Sequence, residues 1–281
     1  MIISSVPRHF LLAQITAALI LSLSLALLSY RFKALSRSGA VGTVVVGTII
    51  FGFGGVVFAI PLLFFFISSS IFSHLKTPGK IQSLSGADKT GTRDFAQVMA
   101  NGAAASALAL VYFLSGDIIW FFPYLASLCE ASADTWATEL GTLHPDSPVS
   151  ILSLKRVDPG QSGGISILGT VASIGGAIMT MLVARSGGLI ADEFLWIDMM
   201  LWLTAACCGL AGSFLDSVLG ASLQAQYRCN QCHRRTERRN HCGLPATLAR
   251  GVRFVDNDFV NFAGTLFAAL AATAIILLLG A

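Results

Sequence analysis

The chain has 281 residues, 54% of them hydrophobic and only 12% charged, with a mean hydropathy of +0.74, whereas a soluble domain carries ~25% charged residues. This composition excludes an ordinary soluble enzyme and describes one integral membrane domain spanning residues 1–281. The formal net charge is +3; membrane lipids are expected partners, nucleic acid is not, and the oligomeric state is left open.

Apolar runs fall at about 10–30, 38–73, 94–115, 118–136, 162–184, 197–222 and 259–280. The first follows Arg8 and His9 and lacks a small-residue cleavage site, so it is expected to be a retained span. The second is too long for a single span of ~20 residues. Its centre reads GFGG at Gly52 to Gly55, which suits a hairpin of two short helices, because irregular backbone is tolerated at membrane depth where it lines a protein cavity. The expected fold is therefore all-α and polytopic, with seven or eight membrane elements.

Basic residues set the expected orientation. Arg31, Lys33 and Arg37 precede the second run, Lys76, Lys80, Lys89 and Arg93 follow it, and Lys155 and Arg156 follow the fourth. Arg228, Arg234, Arg235, Arg238, Arg239, Arg250 and Arg253 crowd the loop at 223–258. All these loops are expected on the cytoplasmic face. The connection from Arg185 to Asp198, with Asp192 and Glu193, fits the outer side, and both termini would lie there too.

The fourth run ends in EASADTWATE, which places Glu130, Asp134 and Glu139 in a membrane-like helix. An ionised acid in hydrocarbon costs at least ~2.5–3.5 kcal/mol on insertion scales, so such groups face polar cavities, pair with cations or mark a site. Glu130 and Asp134 are four apart and share a helix face; Glu139 lies roughly opposite Glu130 on an ideal helix. Two acids on one face suit a hard cation such as Mg²⁺. The plainer reading is a pair of helix-end acids in water.

Further polar clusters sit near the same expected face. Lys76 and Lys80 lie in HLKTPGK; Arg93 and Asp94 open TRDFAQVMANG, with Asn101 on the Asp94 face; Asp216 lies in GSFLDSVLGASLQ; Asn257, Asp258 and Asn261 lie in VDNDFVNFAG. A transport path would string polar groups through the bilayer, so gathering them at one side favours interfacial chemistry. Acids that hold Mg²⁺ beside lysines and arginines are what phosphoryl transfer requires. No GxxxxGK[ST] run occurs, which excludes a P-loop. A weak echo between SGAVGTVVVG at 38–47 and SGGISILGTVASIGG at 162–176 suggests either an internal duplication around a midplane site or small residues packing helices closely.

Cys229, Cys232, His241 and Cys242 lie in the basic loop as CNQCH…HC, and two-residue spacing between thiolates is typical of a zinc half-site. Free thiols are the alternative. The CxxCH string also matches haem attachment, but that chemistry belongs on the oxidising side and the loop is too basic to be translocated readily.

Taken together, SGAVGTVVVG, TRDFAQVMANG, EASADTWATELG, SGGISILGTVAS, GSFLDSVLGASLQ with the following CNQC and HCG, and NDFVNF resemble the integral membrane family that includes plant and cyanobacterial phytyl-phosphate kinase and the animal transmembrane-protein-nineteen group. The resemblance covers most of the chain. It implies an enzyme that phosphorylates phytyl phosphate, or a related isoprenoid monophosphate, to the diphosphate with a nucleoside triphosphate, CTP being favoured, in phytol salvage for tocopherol and prenylquinones. The motif positions carried over are Lys76, Lys80, Arg93, Asp94, Asn101, Glu130, Asp134, Glu139, Asp216, Asn257, Asp258 and Asn261. On this expectation Glu130, Asp134 and Asp216 hold Mg²⁺, with Glu139, Asp258 and Asn261 in support, and Lys76, Lys80 and Arg93 clamp phosphates. The short N-terminus, unlike a transit peptide, suggests a bacterial or cyanobacterial inner or thylakoid membrane. The rival from another class is a transporter or flippase for lipid phosphates or cations.

Overall fold

The computed structural model describes residues 8–75, 92–143, 147–158, 160–190 and 197–279; Lys76, Lys80 and Lys89 lie outside them. In chain order the helices are α1 (Arg8–Arg31), α2 (Arg37–Ile49), α3 (Gly55–Ser73), α4 (Phe95–Ser115), α5 (Phe121–Gly141), α6 (Ile167–Arg185), α7 (Met199–Ser222) and α8 (Asn257–Leu279). Among the described residues these eight α-helices follow the seven apolar runs, with the second run divided. Among the described residues six stretches are long and apolar enough to cross a membrane, α2 and α3 counting as one.

The second run folds as the GFGG centre predicts. Ile50–Gly54 widen into a π-helical turn, and Gly55 adopts φ 74°, ψ −168°, a conformation open essentially to glycine alone. The chain reverses there. At the start of α2, the Ser36 N–H bonds the Arg93 carbonyl at 2.9 Å, and along α3 Phe65 returns beneath the Arg93 guanidinium, 5.8 Å from its ring centroid. At the other end, the Phe53 ring meets Phe113 at 5.0 Å and Phe58 meets Tyr112 at 4.6 Å. The α2 arm therefore runs along α4, and α3 turns back to pack on α5 and α6.

Helix α5 is the axis of the bundle. Apart from Glu130 and the Tyr124 hydroxyl it is apolar or small on every side from Phe121 to Ala133, and that whole stretch is buried, as expected of a helix enclosed all round. Helices α3, α4, α6, α7 and α8 pack on it. Its three acids keep it out of the six apolar stretches, and it meets protein where they meet lipid. The lipid-facing side is visible in Leu23 and Leu27 of α1, Ile174 and Leu182 of α6, and Leu270 and Leu277 of α8, all exposed. Helix α1 is peripheral and buries a stripe of small residues, Ala18, Ser22, Ala26 and Ser29, the packing expected where apolar lipid gives no hydrophobic drive between helices.

The two echo segments open alike: Ser36 caps α2 through the Gly39 N–H and Ser166 caps α6 through the Gly169 N–H. Both then place glycines on a neighbour's backbone, Gly39 on the Arg93 carbonyl and Gly176 on the Ser132 carbonyl. Helix α2 runs parallel to its partner α4, however, and α6 antiparallel to α5, so what repeats is the helix start and the close packing.

Helices α2, α4, α6 and α8 begin, and α1, α3, α5 and α7 end, at one pole. That pole carries Lys33, Arg37, Arg93, Lys155, Arg156 and the arginine-rich loop. The loop adds short strands to an otherwise helical molecule. Strands β1 (Val149–Ser150) and β2 (Gly164–Ile165) pair before α6. Between α7 and α8, β3 (Gln226–Arg228), β4 (Arg235–Thr236) and β7 (Thr247–Arg250) form a sheet of order β4-β3-β7, and β5 (Asn240–His241) pairs with β6 (Leu244–Pro245). Toward the opposite pole the core is an aromatic plug of Phe58, Phe121, Phe122, Tyr124 and Trp202, each almost fully buried.

Candidate acidic site and basic-rimmed cavity

Glu130 is 1% exposed, and neither carboxyl oxygen has a hydrogen-bond partner among the described residues. The backbones of α7 and α8 press directly against it. A Cβ at Gly212 would stand 2.7 Å from Glu130 Cγ, and one at Gly264 would stand 2.4 Å from Oε1. One helical turn along α5, the Asp134 carboxyl comes within hydrogen-bond reach of Asp216 on α7, and both are partly exposed. With its amide nitrogen turned toward α7, Asn261 of α8 donates to Asp216 Oδ2 at 3.1 Å and to the Asn257 carbonyl at 3.0 Å. Three helices thus converge Glu130, Asp134, Asp216 and Asn261 on one oxygen-rich site.

The set fits Mg²⁺ on two observations. A buried carboxyl with two orphaned oxygens carries a desolvation cost that a bound cation offsets, and two acids in mutual contact repel unless a shared proton or a cation lies between them.

The remaining predicted residues divide. Glu139 accepts a hydrogen bond from Ser73 Oγ at 2.7 Å and interacts electrostatically with both Arg93 and Asp134, which sets it between the cation and the acids rather than beside Glu130. Its position opposite Glu130 on α5 is the reason. Asp94 is exposed and is the N-cap of α4, in a capping box with Gln97, which leaves its carboxylate occupied by backbone N–H. Asn101 donates to the Gln97 carbonyl at 3.0 Å and lines a cavity away from the acids. Asn257 contributes its carbonyl to Asn261, and Asp258 stands half-buried in the first turn of α8. Lys76 and Lys80 lie outside the described residues.

That cavity, about 430 Å³, lies between α1, α2, α3 and α4, within the ~300–1,000 Å³ range of small-molecule sites. Its walls are apolar, with Leu21, Leu25, Val46, Phe51, Leu62 and Phe66 among them, and its polar groups include Arg93, Gln97 and Asn101. Arg93 is fixed by its own backbone, its N–H bonding Ala34 O at 2.9 Å. Burial lowers its pKa and Glu139 opposes that shift; a guanidinium stays charged regardless. Arg93 is therefore the group that joins the apolar cavity to the acidic end of α5.

Glu237 carries no motif signal, whereas its partner Ser162 opens the SGGISILGTVASIGG segment. Ser162 Oγ donates to Glu237 Oε1, and Glu237 lies within electrostatic reach of Asp216. The close approach is made by Gly163, at φ 75°, whose Cβ would collide with Ala221 of α7. In the sequence Glu237 sits among arginines and reads as one solvated charge.

The predicted cysteine set comes together. One ligand atom from each of Cys229, Cys232, His241 and Cys242 lies within 4.8 Å of all the others. His241 Nδ1 is 3.5 Å from Cys232 Sγ and 3.2 Å from Cys242 Sγ. The backbone N–H groups of Cys232 and Gln231 point at Cys229 Sγ, both at 3.4 Å, and help draw that thiol down to about 6.

Residues 20–269 match the family described as integral membrane protein DUF92. Protein PGR of Arabidopsis thaliana is 29% identical over 276 residues, covering 89% of this chain and 91% of that protein. An uncharacterized membrane protein of Methanocaldococcus jannaschii is 29% identical over 229 residues, covering 81% of this chain and 87% of that one. No solved structure matches. With the match running from within α1 into α8, and so through every element of both candidate sites, the chain belongs to the DUF92 integral membrane family.

Proposed function

We propose that the protein is a phosphotransferase that converts an isoprenoid monophosphate, phytyl phosphate before others, to its diphosphate with CTP as donor, at the cytoplasmic face of the membrane. The observation that carries this is the presence, at one basic pole, of a three-acid site with Glu130 buried at its base and of an apolar cavity whose rim holds a fixed arginine in electrostatic reach of Glu139 on the acidic helix. The cavity would take an apolar tail and Arg93 the phosphate at its head. Glu130, Asp134 and Asp216 would hold Mg²⁺, with Asn261 orienting Asp216; when bound, the ion supplies charge neutralisation for the phosphate oxygens. The acceptor is already an ionised phosphate at neutral pH, so positioning and charge stabilisation supply most of the rate and no strong general base is required. Transport by the same acids is less well supported, because among the described residues the buried aromatic rings of Phe58, Phe121, Phe122, Tyr124 and Trp202 fill the core toward the opposite pole. The positive pole faces the cytoplasm by the usual bias of short loops.

Protein purified in detergent, given phytyl phosphate, CTP and Mg²⁺, is expected to release CDP and phytyl diphosphate. Failure to form any prenyl diphosphate across a panel of chain lengths and nucleotides would sink the reading. Arg93→Gln is expected to raise KM for the lipid phosphate about tenfold to a hundredfold, the loss of one charge-assisted contact of ~1.5–3 kcal/mol, with KM for CTP little changed. Equal effects on both substrates would remove Arg93 from the acceptor side.

A further inference from the structure

We propose that Cys229, Cys232, His241 and Cys242 bind one structural zinc ion, and that this ion ties the arginine-rich loop into the fold that presents Glu237 to Ser162 beside Asp216. The ligands come from two hairpin tips. In the first, between β3 and β4, the Cys229 N–H bonds the Arg234 carbonyl at 2.9 Å and the His233 N–H bonds the Cys229 carbonyl at 3.1 Å, closing a tight turn in which His233 takes φ 58°. In the second, between β5 and β6, His241 pairs with Leu244, and Cys242 and Gly243 both have positive φ, 53° and 77°, as a two-residue hairpin turn of this kind requires. Each tip turns two donor atoms toward the other.

The spacing is that of a tetrahedral site. Ligands ~2.1–2.3 Å from a zinc ion stand ~3.4–3.8 Å apart; His241 Nδ1 is 3.5 Å from Cys232 Sγ and 3.2 Å from Cys242 Sγ, and all four ligand atoms lie within 4.8 Å of one another, so small side-chain shifts bring the set to that geometry. The two N–H groups aimed at Cys229 Sγ stabilise a thiolate there. Three sulfurs and one imidazole in tetrahedral array select zinc over the oxygen-seeking Mg²⁺.

The rest of the loop explains why a metal is needed. Its strands are two to four residues long, too short for an independently stable sheet. Arg228, Arg234, Arg235, Arg238 and Arg239 place like charges on the same small unit. A zinc ion with three thiolates carries a net charge of about −1, which offsets that repulsion while cross-linking the tips. Thr236, buried at 4%, holds the following turn by accepting the Arg238 N–H at 3.1 Å, and Glu237 sits in that turn. Fixing the tips therefore fixes Glu237.

The test uses the full chain in detergent and does not depend on the phosphotransfer reading. Elemental analysis is expected to find about one zinc per chain, with cobalt replacing it to give the visible absorption of tetrahedral thiolate coordination. Cys232→Ser and Cys242→Ser are expected to lose the zinc, and Cys207→Ser, on the exposed face of α7, to retain it. To separate metal loss from misfolding of the ligand variants, wild-type protein is also stripped with a chelator and reloaded. Tryptic cleavage after Arg234, Arg235, Arg238 and Arg239 should then accelerate at least an order of magnitude on stripping and slow again on adding zinc. Zinc content that survives both serine substitutions, purified protein with no stoichiometric zinc that gains none on reloading, or cleavage indifferent to the metal would each overturn the proposal.

Discussion

Asp216→Asn is expected to lower kcat for prenyl-phosphate phosphorylation about 10²–10³-fold, the cost typical of removing one preorganised group from a charge-stabilising site. The substitution is nearly isosteric, and an amide oxygen can still accept from Asn261, so the helix contacts survive while one negative charge is lost. Asp134→Asn should cost a similar factor. If the two acids act as one unit, the double variant falls little further than either alone. Asp94→Asn provides the contrast, because asparagine caps helices as well as aspartate and Asp94 is spent on the cap of α4; its activity should stay near wild type. Rates are to be measured at saturating CTP and lipid, with circular dichroism confirming the fold. Wild-type rates in both Asp216→Asn and Asp134→Asn would remove the acids from the chemistry.

The helical spans, to within several residues, and the basic pole were legible because each rests on a local signal. Twenty apolar residues read as a span, Gly52 to Gly55 as a break, and basic loops as one face. The acid pair was legible because Glu130 and Asp134 sit four apart in an apolar helix, where their cost demands an explanation. Asp216 was legible for the same reason. The glycine cradle was not: Gly212 and Gly264 look like any small residue of a membrane helix, and only the convergence of α7 and α8 reveals that they leave room for a carboxyl. Glu139 shares a helix with the site and lies roughly opposite Glu130, so its contacts with Ser73 and Arg93 on one side and Asp134 on the other appear only once the helices are packed. Glu237 left no trace, since its partner Ser162 is 75 residues away and the pairing depends on how the loop folds back onto α7. The cavity depends in the same way on four helices, none of whose sequences specifies an empty space.

Glu130 permits a test of the site that needs no substrate. In the absence of divalent cation, the fold buries a carboxyl with two unpartnered oxygens against Gly212 and Gly264, close to two further acids. Such a group destabilises the protein, and breaking the compensation for a buried charge costs ~3–5 kcal/mol. Replacing it with a neutral side chain of the same shape should recover part of that cost. Glu130→Gln is therefore expected to raise the unfolding temperature in EDTA, the reverse of the usual outcome for a substitution in a close-packed core. Addition of Mg²⁺ should stabilise the wild type by mass action, about 2.7 kcal/mol at a hundred times its dissociation constant, and should leave Glu130→Gln almost unmoved. The two effects together cross the stability order of the pair: the variant leads without Mg²⁺ and trails with it. A purely structural glutamate, satisfied by its neighbours, predicts destabilisation in both conditions. Thermal unfolding in detergent, followed by intrinsic tryptophan fluorescence with and without Mg²⁺, separates the two. An equal Mg²⁺ response in both proteins would show that the ion binds without Glu130, and the deepest of the three acids would then have to be explained by something other than metal.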